Sequence, residues 1–133
     1  MRFVDTNIFL RYFTKDNEKK AIKSFLLLQK LESNEEKATT SPLVIFETIF
    51  TLSSFYKVTR EEIKDLLLPI IRLRGLRLEN KEIFEKALET YANNKISFAD
   101  TFNACLMESL GIKEIYSYDE DFDSIPGIKR MEP

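Results

Sequence analysis

The sequence predicts an α/β protein, a three-layer α/β/α sandwich around a central, mainly parallel twisted sheet. Short apolar runs of strand length alternate along the chain with longer stretches whose apolar residues recur at helical spacing, the pattern of parallel βαβ units. Capping and turn residues stand at the junctions between these runs, so each element has a chemical start and stop. Single acids also sit inside otherwise apolar stretches, at positions where such sheets bind ligands.

Residues 2–5 are the first strand: Phe3-Val4 is apolar and Asp5 ends it. Ile8, Phe9, Leu10, Tyr12 and Phe13 then recur at helical spacing, so a helix runs from Thr6 to about Thr14. This strand delivers a carboxylate to its C-terminal tip. Asp, Thr and Asn are also favoured N-caps, so a purely capping role for Asp5 or Thr6 stays open on this reading.

A second helix covers residues 16–33, capped by Asp16-Asn17, with Ala21, Ile22, Phe25, Leu26, Leu28 and Leu31 as its apolar positions. Residues 34–37 turn, and Ala38-Thr39-Thr40 is a short second strand. Ser41-Pro42 is a strong helix start, with Ser as N-cap and Pro at the first helical position. From Pro42 to Tyr56 the one charged residue is Glu47, which either faces the site or points outward between its threonine neighbours.

Thr59-Arg60-Glu61-Glu62 opens the next helix as a capping box. Ile63, Leu66, Leu67, Ile70 and Ile71 give it an apolar stripe, and Pro69 is expected to end or kink it. Its Leu66–Ile71 run is read as core ahead of a partner interface.

Residues 75–78 alternate as a third strand, and a helix over 81–93 with Ile83, Phe84, Ala87, Leu88 and Tyr91 inward stops at Asn93-Asn94. Ser97 caps a helix in which Asp100 is the one acid between Ile96 and Met107. Ser-x-x-Asp also resembles a capping box, although that motif prefers the longer Glu or Gln. Gly111 stops this helix, residues 113–118 form a fourth strand, and the acidic run Asp119-Glu120-Asp121-Phe122-Asp123 follows. Pro126-Gly127 turns the chain into a last strand over 128–131.

The totals bound the function. A chain of 133 residues is expected to be one domain, spanning 1–133. With 44% apolar residues and eleven Phe it buries a substantial core, which excludes disorder. A net charge of −2 argues against a surface that grips nucleic acid everywhere, while leaving room for a local basic rim. The lone Cys105 lies in a helical apolar pattern and is read as packing. No cleavable signal and no apolar run of about 20 residues is present, so a soluble, cytoplasmic protein without membrane contact is expected.

An ionised carboxylate is costly to remove from water unless something pairs with it, and the stretches around Glu47 and Asp100 carry no Lys or Arg of their own. Three lone acids, Asp5, Glu47 and Asp100, in a chain without histidine point to a shared hard cation such as Mg²⁺ or Mn²⁺. The absence of histidine also excludes a histidine-based ribonuclease mechanism.

Asp5-Thr6-Asn7 after the first strand, Glu47 in its helix, Ser97-Phe98-Ala99-Asp100 opening a late helix and Ser117-Tyr118-Asp119-Glu120-Asp121-Phe122 near the C-terminus together resemble a PIN domain. Over nearly the whole chain the layout is most similar to the VapC-like toxin ribonucleases. The resemblance implies that Asp5, Glu47, Asp100 and Asp119 are catalytic and hold one or two Mg²⁺ or Mn²⁺ ions. Asp121 is a weaker candidate, and Thr6, Asn7, Ser97 and Ser117 are candidates to orient the carboxylates. It further implies a metal-dependent endoribonuclease hydrolysing RNA phosphodiester bonds in single-stranded or loop regions. Such a protein is the toxin of a toxin–antitoxin pair, a homodimer neutralised by a protein antitoxin.

Arg11, Lys15, Lys57 and Arg60, near helix ends, are candidate phosphate contacts. A PIN-type RNA processing or decay nuclease and a catalytically silent PIN-like RNA- or protein-binding module are the alternatives. A haloacid dehalogenase-type phosphatase is disfavoured, because Asn7 stands where its second Asp is needed, and a receiver domain lacks its acceptor Asp in 38–40 and 75–78.

Overall fold

Strand pairing in this chain is brief and entirely parallel. In the computed structural model, which describes residues 1–133, β1 (Arg2–Phe3), β2 (Ala38–Thr39) and β3 (Leu76–Arg77) form a sheet in the order β1-β2-β3. Arg2, Ala38 and Leu76 share one register line, and Phe3, Thr39 and Arg77 share the next. Bonding continues past the ladder: Val4 N donates to the Thr39 carbonyl at 2.8 Å and Thr40 N to that of Arg77 at 2.9 Å. The buried Thr40 hydroxyl donates to the Val4 carbonyl at 2.8 Å. These bonds lock the β1 and β2 tips side by side, and Asp5 and Ser41 follow directly. A second parallel pair, β4 (Glu114–Tyr116) with β5 (Lys129–Met131), sets Glu114 opposite Lys129.

The helices form where the caps place them. They are α1 (Thr6–Thr14), α2 (Glu18–Glu32), α3 (Pro42–Ser54), α4 (Arg60–Ile71), α5 (Lys81–Ala92) and α6 (Phe98–Leu110). Asn17, Ser41, Thr59 and Ser97 each accept a bond from the backbone N–H three residues on, satisfying a donor that the helix leaves orphaned. Gly111 ends α6 with φ 71°, a left-handed conformation that glycine adopts without penalty. The result is a helix-rich α/β fold in which the connections β1 to β2, β2 to β3 and β4 to β5 each join parallel neighbours, while the chain from β3 to β4 passes between the two sheets.

The core joins Val4 and Phe9 to Ile45, Ile49 and Leu52 of α3, to Ile63, Leu67 and Ile71 of α4, and to Phe84 and Leu88 of α5. Each such side chain contributes about 1.5–3 kcal/mol through burial. Leu67, Leu68, Ile70 and Ile71 are all buried, so the apolar run in α4 is core. Pro69 does not end the helix, which runs on to Ile71. Its missing N–H leaves the Asp65 carbonyl without a helical donor, on an exposed side of α4 where water can replace it.

The stripe of α2 differs from expectation. Ala21, Ser24, Leu28 and Leu31 are buried, whereas Ile22, Phe25 and Leu26 are exposed. The small Ser24 lies on the buried face, and the larger residues turn outward. No helix is long and apolar enough to cross a membrane.

Candidate active site

Asp5 stands at the N-cap position of α1, yet its side chain makes no capping bond. Its exposed carboxylate is therefore free. The next residue, Thr6, is buried and donates its hydroxyl to Glu47 Oε2 at 3.2 Å. Glu47 is exposed on α3, held from below by this bond and flanked along the helix by Leu43 and Phe50, which are 73% and 70% exposed. One turn of sequence thus ties the tip of β1 to the acid of α3.

Phe46, beside Glu47, packs against Phe98 and Phe102 of α6 with ring centroids 5.4 and 5.1 Å away. That contact sets the start of α6 next to α3. There the Ser97 hydroxyl accepts from Asp100 N at 3.1 Å. Ser97 is the N-cap of α6, and the Asp100 carboxylate faces other acids. Carboxylate oxygens of Asp100, Asp119 and Asp121 lie within 4.8 Å of one another.

The loop after β4 is built to present the last two. Ser117 Oγ accepts from Asp119 N at 3.0 Å, and Asp119 Oδ1 accepts from Asp121 N at 2.9 Å, opening a 3-10 helix over Glu120–Ser124. Arg130 grips Asp123 through two bonds of 3.0 and 3.2 Å and donates to the Ser117 carbonyl at 3.1 Å. Phe122 is buried beneath the turn. Asp123 is thereby spent on structure, while Asp119 and Asp121 remain available.

No Lys or Arg pairs with Asp5, Glu47, Asp100, Asp119 or Asp121. Partial burial pushes the Asp100 carboxyl above its usual range, Asp119 and then Asp121 push it further, and Ser97 opposes them. Uncompensated carboxylates crowded in this way fit a hard divalent cation, which takes carboxylate oxygens. The PIN domain family model matches residues 2–128. The chain belongs to that family.

The PIN domain is 27% identical over 134 residues to a VapC ribonuclease of Aquifex aeolicus (strain VF5), a match covering all of this chain and 97% of the relative. VapC20 of Mycobacterium tuberculosis, described as a sarcin–ricin loop cleaving toxin, is 22% identical. It aligns over 93% of this chain and 94% of its own, with a TM-score of 0.40.

Of the residues singled out in sequence, this PIN domain brings Asp100, Asp119 and Asp121 together and links Glu47 to Thr6. Asp5 and Glu47 lie outside the three-aspartate cluster. Asn7 is exposed next to Thr6. Asp121 takes an equal place with Asp119, because a capping aspartate draws the residue two positions on back toward itself.

The basic candidates divide. Arg60 donates to the carbonyls of Tyr91 and Ile96 and to Asn94 Oδ1 at 3.2, 2.7 and 3.2 Å, and its guanidinium lies 4.2 Å from the Tyr91 ring centroid. It is a clamp on the segment leading into α6, a role different from phosphate contact. Lys15 and Lys57 are exposed at left-handed positions, brought near one another by the 2.7 Å bond from the Tyr56 hydroxyl to Asp16, and Arg11 lies close enough to act on Tyr56. Cys105 is buried and burial raises its thiol pKa, so it is inert packing.

Proposed function

We propose that the chain is a metal-dependent endoribonuclease that hydrolyses RNA phosphodiester bonds, and that it is the toxin of a toxin–antitoxin pair. The observation that carries this reading is the unpaired three-aspartate cluster, contributed by α6 and the turn after β4 of a PIN domain. The similarity to a VapC ribonuclease supports it.

Asp100, Asp119 and Asp121 would hold Mg²⁺ or Mn²⁺, with Asp5 and Glu47 completing the donor set. A divalent ion in such a site lowers the pKa of a water and offsets charge on the leaving oxygen. The protein's own part is positional. Thr6 fixes Glu47, Ser97 caps the helix that carries Asp100, and Ser117 with Arg130 sets the turn that presents Asp119 and Asp121. With no histidine in the chain, the proton of the attacking water leaves to a carboxylate oxygen or to solvent. The exposed Leu43 and Phe50 beside Glu47 offer an apolar rim to a protein antitoxin that would cover the acids. A homodimer belongs to the same proposal.

The test is cleavage of labelled single-stranded and hairpin RNAs with Mg²⁺ or Mn²⁺, with and without chelator, by the wild type and Asp100→Asn. Cutting that needs the ion and disappears in the variant is the expected result. Wild-type protein that neither cuts any RNA nor takes up Mn²⁺ in calorimetry would overturn the reading.

A further inference from the structure

A chain of net charge −2 with its site built from carboxylates repels an RNA backbone, so attraction has to come from cations placed elsewhere. Lys37, Arg74, Arg77 and Lys81 line a single groove of about 420 Å³, and no acid lines it. Lys37 precedes β2, Arg74 and Arg77 bracket the start and end of β3, and Lys81 opens α5. None of the four is ion-paired, unlike Lys64, Arg72, Lys86 and Arg130, which all have acidic partners.

The backbone carrying these cations is fixed. Gly75 N donates to the Leu31 carbonyl at 2.8 Å, and the Gly75 carbonyl accepts from Ala38 N at 2.8 Å. A Cβ at position 75 would stand 2.3 Å from the Glu36 carbonyl oxygen and 2.9 Å from that of Leu31. Glycine therefore lets the lead into β3 press against the end of α2, holding Arg74 in place. Lys81 is half-buried, its ammonium donating to the Leu73 carbonyl at 3.1 Å. Arg74, Arg77 and Lys37 project into solvent around it.

The groove opens at the N-terminal end of the sheet, where Met1, Lys37 and Gly75 immediately precede β1, β2 and β3. Asp5 lies past the opposite, C-terminal end of β1, about 13 Å along the strands and about 10 Å across them from Gly75 at the usual strand spacings. A strand of RNA reaching both places extends several nucleotides beyond the bond that is cut.

We infer that this groove binds the phosphate backbone of RNA away from the cleavage point, so that the protein favours long or structured RNA over short oligonucleotides. The inference rests on the ribonuclease reading for its ligand, and binding is measured separately from cutting. Fluorescence anisotropy of a labelled hairpin RNA is followed against salt, with chelator present so that the RNA stays intact. The proteins are wild type, the double variant Arg74→Gln/Arg77→Gln, and Arg72→Gln, a neighbouring arginine paired with Glu85 outside the groove.

The double variant is expected to bind more weakly and to lower the log–log salt slope by about 1.4 to 1.8, the share of two cations on single-stranded loop or duplex stem. Arg72→Gln should leave the slope near wild type. With metal restored, the double variant should cut a short oligonucleotide at the wild-type rate while its KM for the hairpin rises. An unchanged slope in the double variant, or an equal fall in Arg72→Gln, overturns the inference. Polyglutamate binding as tightly as RNA also overturns it and reassigns the groove to an acidic protein. A short oligonucleotide left uncut by every protein instead counts against the ribonuclease reading.

Discussion

Asp100 holds its proton more tightly than an ordinary aspartate, because it is partly buried and faces Asp119 and Asp121. A carboxyl whose pKa rises on folding contributes most to stability at low pH, and that contribution is lost as the pH climbs through the raised value. Metal-free protein at neutral pH therefore bears the repulsion of its own site. Asp119→Asn, which keeps an oxygen to accept from Asp121 N, should raise the melting temperature of the metal-free protein by a few degrees. The gain should shrink on acidification, and Mn²⁺ should no longer stabilise the variant; a fall in melting temperature at neutral pH would contradict this account. Thr6 acts through Glu47 in a different way. Thr6→Val removes the 3.2 Å bond that orients the carboxylate. Divalent-ion affinity measured by calorimetry should fall about 10- to 100-fold while the circular dichroism spectrum is unchanged.

At the scale of elements, α4 steadies a segment it does not adjoin in sequence. Arg60, at its first turn, bonds the carbonyls of Tyr91 and Ile96 and the Asn94 side chain, so the link from α5 to α6 is pinned just before Ser97 and Asp100. Arg60→Ala leaves those acceptors without their charged donor and should cost about 2 kcal/mol in chemical denaturation. It should also slow RNA cleavage, since Asp100 loses its fixed approach; full activity in a destabilised variant would show that the clamp serves stability alone. This clamp was not legible in the sequence, where Arg60 reads as one more basic residue near a helix end. Helix order was legible, because Ser41-Pro42, Thr59, Ser97 and Gly111 announce boundaries through local chemistry. The buried face of α2 was not, since Ile22 and Leu26 have the right character and the wrong direction, and only the packing of α2 on its neighbours selects Ser24. Asp100 and Asp119 stood out as site acids through the family pattern. The grouping of Lys37, Arg74, Arg77 and Lys81 did not, because the residues lie on three elements and meet only once β2 and β3 are side by side.

For the whole molecule, the site draws on two bodies of hydrogen bonding. Asp5 belongs to the three-stranded sheet and Asp119 and Asp121 to the β4–β5 pair, and no ladder joins one sheet to the other. Residues 113–131 attach through side chains such as the buried Phe122. Local opening should therefore begin there. Hydrogen exchange should find the amides of β4 and β5 less protected than the helical core of α3 to α5 in metal-free protein, and Mn²⁺ should slow exchange in that segment above all; uniform protection would argue against the division. A cation shared across this boundary would work as a rivet between the body of the protein and a short segment otherwise only pressed against it. Proteases act on opened chains, so the supply of divalent ions would set how long each molecule survives as well as how fast it works.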